Sequence, residues 1–287
     1  MMLEKIKPLK SFGQNFLKDK NIANKIIDLL GDVANKNVIE IGPGMGALTE
    51  LLLARNAKLT AFDLDKRAIE YLNAKFKFHC HIALDAVSLF NEKNLKIIHS
   101  DIRNVSLSEY ADDKILLIGN IPYNITNDII FWLFEQNNLL NKAVLTIQRE
   151  VAERYVAKPK TKNYGITTIA MQLYASAKIA FHIPPSAFYP APKVTSTVLV
   201  IDFSAQNRYC EIDKKELMQL IKAAFSQRRK VIGNAIKSYL TTKKIDFEKL
   251  SKQLENDEKN YLKMRAEELT VEDFICFYSV IAQVDTI

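Results

Sequence analysis

Cysteine is scarce in this chain of 287 residues: Cys80, Cys210 and Cys276 stand far apart and no C-x-x-C pair occurs. A disulfide-stapled scaffold and the common zinc spacings are thereby excluded, and an odd count fits a reducing compartment. Histidine is also sparse, at four. His79, Cys80 and His81 form the one cluster; on a strand the two imidazoles could share a face, but no third ligand accompanies them, so no metal is expected. Glycine and proline number eight each, too few for long flexible linkers. No apolar run approaches the roughly 18 residues of a membrane span. No apolar signal core follows the lysine-rich first ten residues. The expectation is a cytoplasmic protein with no membrane partner.

Acidic side chains are in deficit, 33 against 40 Lys and Arg, and the excess is clustered. Residues 1–25 hold six Lys against Glu4 and Asp19, residues 149–162 hold five basic side chains against two acidic, and residues 214–244 hold nine against Glu216 alone. Solubility is the ordinary explanation of one basic run. Three separate runs point toward a polyanion.

Strand and helix patterns alternate through residue 150. Strands are expected at 37–41, 58–62, 95–99, 115–118 and 142–147, with helices after each of the first two and after the fourth. This order implies a mostly parallel sheet with helices on both faces. Asn21 is the expected cap of the first helix, through Leu30. Ala83 to Phe90 reads as a helical turn or two. Val194 to Phe203 alternates and is rich in Val and Thr, so it is a further strand. Beyond it no strand pattern returns. Asp213 with Glu216, and Thr270 with Asp273, are capping pairs for helices of a small all-helical domain. The division expected is 1–206, with 1–20 as a basic entry segment, and 207–287.

Two stretches carry chemistry. Glu40-Ile41-Gly42-Pro43-Gly44-Met45-Gly46 joins a strand to a helix, and glycines there let the backbone approach a ligand at a helix amino end. Asp63 ends the next strand about twenty residues on, where a carboxylate can accept both hydroxyls of a ribose. That leaves dinucleotide or adenosyl ligands. Glu40 within the first strand, and Asp101 at the end of the third, where it can accept from an adenine amine, favour S-adenosylmethionine. Each Asp alone is more commonly a cap or turn former; their joint placement at successive strand ends is the informative feature.

The second stretch is Ile115 to Asn124. Ile115–Ile118 is a short apolar run stopped by Gly119, and Pro122 forbids further ladder pairing. The loop then presents an amide (Asn120), a free backbone carbonyl (Ile121) and a ring (Tyr123), a trio suited to a flat base with an exocyclic amine. A strand ending in an Asn-Pro turn is the common alternative.

The chain resembles the ribosomal RNA small-subunit adenine N6-dimethyltransferase family, the KsgA group, over nearly its whole length. The matching residues are Phe12 to Leu17, Glu40 to Gly46, Gly119 to Asn124, Gln148 to Arg154, Tyr164-Gly165, Phe188-x-Pro190-x-Pro192-Lys193-Val194-x-Ser196, Phe225 to Lys230 and Arg265 to Leu269. The macrolide-resistance Erm methylases share the Gln-Asn-Phe and Asn-Ile-Pro-Tyr elements. Asp63 stands where the family often has Glu, Ala266 where Pro is common, and the span from Asp63 to Asp101 is longer than usual.

The resemblance implies a Rossmann-like S-adenosylmethionine-dependent domain and a helical RNA-binding domain. It places Asn15 and Leu17 at the methionine end of the cofactor, the backbone of Gly42 and its loop neighbour Gly44 beneath it, Asp63 on the ribose and Asp101 on the adenine amine. Asn120 stands between cofactor and target base. Catalysis falls to Asn120, Ile121, Pro122 and Tyr123, with Phe188 closing the other face of the base; core packing is the equal alternative for Phe188. Lys158, Lys160, Lys162, Arg228, Arg229 and Lys230 are the candidate phosphate contacts. The implied activity is dimethylation of two adjacent adenosines near the 3′ end of small-subunit RNA in a pre-30S particle, by a monomer without a metal. An Erm-type methylase of large-subunit RNA and a non-catalytic RNA-binding assembly factor are the competing readings.

Overall fold

The computed structural model describes residues 6–9, 12–82, 94–110, 113–204, 209, 211–255 and 259–284. The chain forms two units, one of Met1–Ala152 with Ala175–Ala205 and one of Glu153–Tyr174 with Gln206–Ile287.

The first unit is built on a seven-stranded sheet. Its strands are β2 (Asn37–Ile41), β3 (Lys58–Asp63), β4 (Leu95–His99), β5 (Ile115–Asn120), β6 (Leu140–Gln148), β7 (Ser176–Ile183) and β9 (Ser196–Asp202). Their order is β4-β3-β2-β5-β6-β9-β7; the first five run parallel, and β9 is antiparallel to both β6 and β7. The sheet is thus mixed at one side, where Ser196–Asp202 slots between β6 and β7. Both faces are apolar, as a parallel sheet requires. On one face Val38, Leu116, Ile118, Val144, Val198 and Val200 pack against Ala23, Ile26 and Ile27 of α1 (Lys20–Asp28) and Leu48, Leu52 and Leu53 of α2 (Ala47–Ala54). Alternate residues Ile39, Leu117, Leu145 and Ile201 are buried on the other.

Two local readings are corrected. Asp19, not Asn21, caps α1: its carboxylate accepts from the N–H groups of Asn21 and Ile22, and the helix begins at Lys20. α3 (Lys66–Ile82) runs past Phe76, so His79, Cys80 and His81 lie on a helix and not on a strand, and strand alternation does not apply to them. The segment Ala83 to Phe90 lies outside the described residues.

A separate two-stranded ribbon pairs β1 (Phe16–Leu17) with β8 (Phe188–Tyr189), antiparallel. Alternation along β8 sends one ring inward and the next outward: Phe188 is 2% exposed and Tyr189 58%.

In the second unit α7 (Lys214–Phe225) starts at Asp213, whose carboxylate accepts from the N–H groups of Lys215 and Glu216. Two short helices follow, α8 (Ile232–Ala235) and α9 (Lys237–Thr242), interrupted at Ile236. α10 (Phe247–Glu255) and α11 (Val271–Ala282) complete it; Thr270 and Asp273 close a capping box on α11. This unit also holds the end of α5 (Arg149–Tyr155), from Glu153 on, and all of α6 (Ile166–Tyr174), differing from a division at residue 206. The reason is burial: Ile169, Ala170, Met171 and Leu173 form an apolar stripe, and α6 packs with α7 and α11.

Candidate active site

At the carboxyl ends of the parallel strands lies a cleft of about 920 Å³, open to solvent and lined by Asn15, Gly42, Gly44, Asp63, Asp101 and Asn120 among others. This is where open α/β sheets bind ligands. A smaller adjoining cavity is lined by Leu17, Glu40, Gly42, Met45 and Asn120.

The glycine loop between β2 and α2 is left-handed at three positions: Gly42 (φ 67°), Gly44 (φ 55°) and Gly46 (φ 82°). Side chains rarely adopt this backbone. At Gly44 space forbids one as well, because a Cβ would sit 2.8 Å from the ring of Phe16. The loop is tied to β3 at both of its edges. Gly42 donates its N–H to the Phe62 carbonyl at 2.9 Å, and Gly44 donates to Asp63 Oδ2 at 3.3 Å. Asp63 Oδ1 accepts from the Asp65 N–H at 2.9 Å. Each Asp63 oxygen keeps a lone pair for a ligand. Burial, the largest influence, holds its carboxyl above the ordinary range.

Below this loop Glu40 is 1% exposed, and its Oε2 accepts from the Thr49 hydroxyl at 2.7 Å. Desolvation raises its pKa to about 7, with Thr49 opposing the rise.

Asp101 is held differently. Arg103 donates from Nη2 to Oδ2 at 2.6 Å and from Nε to Oδ1 at 3.0 Å, and its main-chain N–H also reaches Oδ1. Arg103 Nη1 continues to Asp128 at 3.0 Å. These bonds keep the Asp101 carboxyl below its usual pKa. Asp101 therefore faces the cleft ionised and oriented, with Arg103 as a partner that the sequence reading missed. A basic residue two positions after a strand-end Asp was the available signal.

Residues 12–16 of the entry segment line the cleft. Gln14 donates to Asp65 Oδ2 at 2.8 Å, and Asp65 is in turn gripped by Arg67. Asn120, the last residue of β5, donates from Nδ2 to the Asn15 carbonyl at 2.7 Å. One of the two amide N–H groups is thereby used, and the oxygen is the atom that can accept. Ile121 is buried and donates its N–H to the Thr146 carbonyl at 3.0 Å, and Pro122 lines the cleft beside it. Tyr123 lines the cleft with its hydroxyl 2.8 Å from the Oγ of Ser196, which is fully buried. Burial raises the Tyr123 phenol pKa. Ser196 and Gln14 were read only as parts of motifs, with no partner assigned.

Phe188 does not join this lining. Its ring lies in the core with Leu17, Ile183 and Val198, placed there by the Leu17–Phe188 pairing. Of the expected phosphate contacts, Lys158, Lys160, Lys162, Arg229 and Lys230 are exposed. Arg228 is exposed too but already engaged, by Glu267 Oε2 at 2.8 Å and by the carbonyls of Thr161 and Lys162.

Comparison with known proteins places this geometry. The family model described as ribosomal RNA adenine dimethylase matches residues 6–282. A relative from Bacillus licheniformis, named ribosomal RNA small subunit methyltransferase A, is 37% identical over 266 residues, 92% of this chain and 88% of its own. A relative of the same name from Cytophaga hutchinsonii is 37% identical over 275 residues, 95% of this chain and 96% of its own. Two solved structures share the fold: a dimethyladenosine transferase from Plasmodium falciparum (TM-score 0.76, 24% identity, 94% of this chain and 99% of that one) and the 23S rRNA methyltransferase ErmE (TM-score 0.62, 20% identity, 94% and 100%). With a strand-end Asn-Ile-Pro-Tyr run facing a glycine loop and two strand-end carboxylates, and with a family match across nearly its full length, the chain belongs to the ribosomal RNA adenine dimethylases.

Proposed function

We propose that this protein methylates N6 of two adjacent adenosines near the 3′ end of 16S ribosomal RNA, giving N6,N6-dimethyladenosine, during assembly of the 30S subunit. It acts as a cytoplasmic monomer on a pre-30S particle. The relatives named for the small subunit, at 37% identity over most of their length, favour this over an Erm-type reaction on 23S RNA. The observation that carries the reading is the Asn120 amide, turned by its bond to Asn15 so that its oxygen remains for a base amine.

The residues present fit S-adenosylmethionine, which supplies an activated methyl group when bound. Asp63 would accept from the ribose, Asp101 from the adenine amine, and Asn15, Leu17 and the backbone of Gly42 and Gly44 would hold the methionine side; the crowded, side-chain-free loop at Gly44 is the cradle. The target N6 is a poor nucleophile because its lone pair is delocalised into the ring. Asn120 Oδ1 and the Ile121 carbonyl would accept its two N–H bonds and draw the nitrogen toward a tetrahedral shape. Pro122 holds the loop so that this carbonyl is presented. Tyr123 would stack on the extruded base, a contact worth roughly 1–3 kcal/mol and comparable with the cost of extrusion. One proton leaves to solvent at each transfer. Phe188, from the core, would support the pocket only through the ribbon, by its pairing with Leu17 next to Phe16.

Incubation with methyl-labelled S-adenosylmethionine and either immature small subunits or protein-free large-subunit RNA tests the reading. Label is expected in the small-subunit RNA. Label confined to the large-subunit RNA would establish the Erm-type reaction, and no label in either would leave an RNA-binding assembly factor.

A further inference from the structure

The loop between α5 and α6 carries Lys158, Lys160 and Lys162, all exposed. An exposed lysine loop is ordinarily pliable, and ordering it on a ligand costs entropy. This loop is held at successive backbone positions instead. The Lys160 N–H donates to the Glu267 carbonyl at 2.7 Å, with Lys160 itself left-handed (φ 65°). The Thr161 hydroxyl and N–H both turn back to the Lys158 carbonyl, at 2.7 and 3.3 Å. The Thr161 and Lys162 carbonyls accept from one atom, Arg228 Nη2, at 3.2 and 2.9 Å. Arg228 Nε is paired with the Glu267 carboxylate at 2.8 Å. Farther on, the buried Tyr164 hydroxyl donates to the Leu269 carbonyl at 2.7 Å. The turn after α7, the lysine loop and Glu267 thus meet at a single guanidinium, beside a hollow lined by Lys158, Lys162 and Asn163 among others.

We propose that Arg228 is a positioning residue that acts on RNA through this loop and not by touching it: it locks the backbone so that Lys158, Lys160 and Lys162 face outward as a preformed row of cations for phosphates. This rests on the RNA reading given above. Two features of the guanidinium support it. Its planar fork reaches two carbonyls and a carboxylate at once, which a lysine ammonium on a flexible stem does not reproduce. Its charge is also already offset by Glu267, whereas the three lysines have no carboxylate within ion-pair distance among the described residues.

The charge-preserving variant Arg228→Lys separates positioning from contact. The full-length protein is titrated into a fluorescein-labelled transcript of the 3′ region of small-subunit RNA over a series of salt concentrations. Limited trypsin digestion, read by mass spectrometry, follows cleavage after Lys160 and Lys162. A positioning role predicts that Arg228→Lys binds about tenfold more weakly than wild type and nearly as poorly as Arg228→Ala. Its salt slope should fall by more than the about 0.7 expected for one lost single-strand phosphate contact. Loop cleavage should quicken in the same variant. Neutralising Lys158, Lys160 and Lys162 together should lower the slope by about 2. Wild-type affinity and an uncut loop in Arg228→Lys would overturn the proposal and make Arg228 a direct phosphate contact. Wild-type protein that does not hold the transcript would instead overturn the RNA reading, and the digestion would still decide whether Arg228 clamps the loop.

Discussion

Asn120 and Asn15 lie 105 positions apart, yet the side-chain amide of one donates to the main-chain carbonyl of the other at 2.7 Å. This bond fixes which end of the Asn120 amide faces the cleft and ties Asn15 to the end of β5. Asn120→Asp tests the arrangement with almost no change of volume. A carboxylate cannot donate to the Asn15 carbonyl, and the two oxygens repel. Methyl transfer, measured as kcat/KM with labelled donor, is expected to fall by roughly a hundred- to a thousandfold, the range seen on removing one aligned polar group from an active site. Activity within tenfold of wild type would refute the role.

Tyr123 makes two separable contributions, a ring toward the cleft and a hydroxyl bonded to buried Ser196. Tyr123→Phe keeps the ring and strands the Ser196 hydroxyl, so stability should drop by about 1–3 kcal/mol while turnover changes little. Tyr123→Ala should lose turnover as well, because stacking goes with the ring. Urea unfolding and methyl-transfer rates on both variants check the separation; equal rate losses would mean that the hydroxyl, not the ring, matters.

Gly44→Ala places a Cβ 2.8 Å from the Phe16 ring at a left-handed backbone position. The expected cost is about 2–4 kcal/mol in stability, from backbone strain together with overpacking. Phe16→Leu in the same chain should relieve the clash but not the strain and recover only part of the loss. Thermal melts of the two variants read this directly, and full recovery would show that φ at Gly44 carries no cost.

Glu40 predicts a pH dependence. Its pKa in the folded protein is about 7, against an ordinary 4.5, because burial penalises the anion. Between these values the folded state binds more protons than the unfolded one, so this contribution to stability is full below 4.5 and is lost as pH rises through 7. Glu40→Gln removes the titration. Between pH 4.5 and pH 8 the stability difference should therefore move by about 3 kcal/mol in favour of the variant, the shift converted at 1.36 kcal/mol per unit. Urea unfolding at the two pH values measures it; a difference that does not change with pH would exclude a neutral Glu40.

Much of the site could be read from the chain because its signals are local. The strand-glycine-helix junction and the Asp213 and Thr270 caps each depend on neighbours a few residues away, and each stands where the pattern put it. Gly119 does not stop β5 as expected: the ladder with β6 carries the strand on to Asn120, and it ends before Pro122. Locality also explains the near miss at Asn21: two potential caps stand two residues apart, and only the direction of the Asp19 carboxylate distinguishes them.

What the sequence by itself determined is the alternation of strands and helices, the glycine loop between β2 and α2, the amide, carbonyl and ring at Asn120 to Tyr123 and the basic runs, since periodicity, backbone permissiveness and charge belong to the residues themselves. The tertiary structure alone decided the pairing of Phe16–Leu17 with Phe188–Tyr189, which buries Phe188 and exposes Tyr189. It also decided the slot of Ser196–Asp202 between β6 and β7, the Arg103 grip on Asp101 and Asp128, and the capture of Arg228 by two carbonyls and Glu267. Each of these but the grip on Asp101 joins positions distant along the chain, where strand register and the reach of a guanidinium select the partner. A one-residue slip of register would exchange the rings of Phe188 and Tyr189.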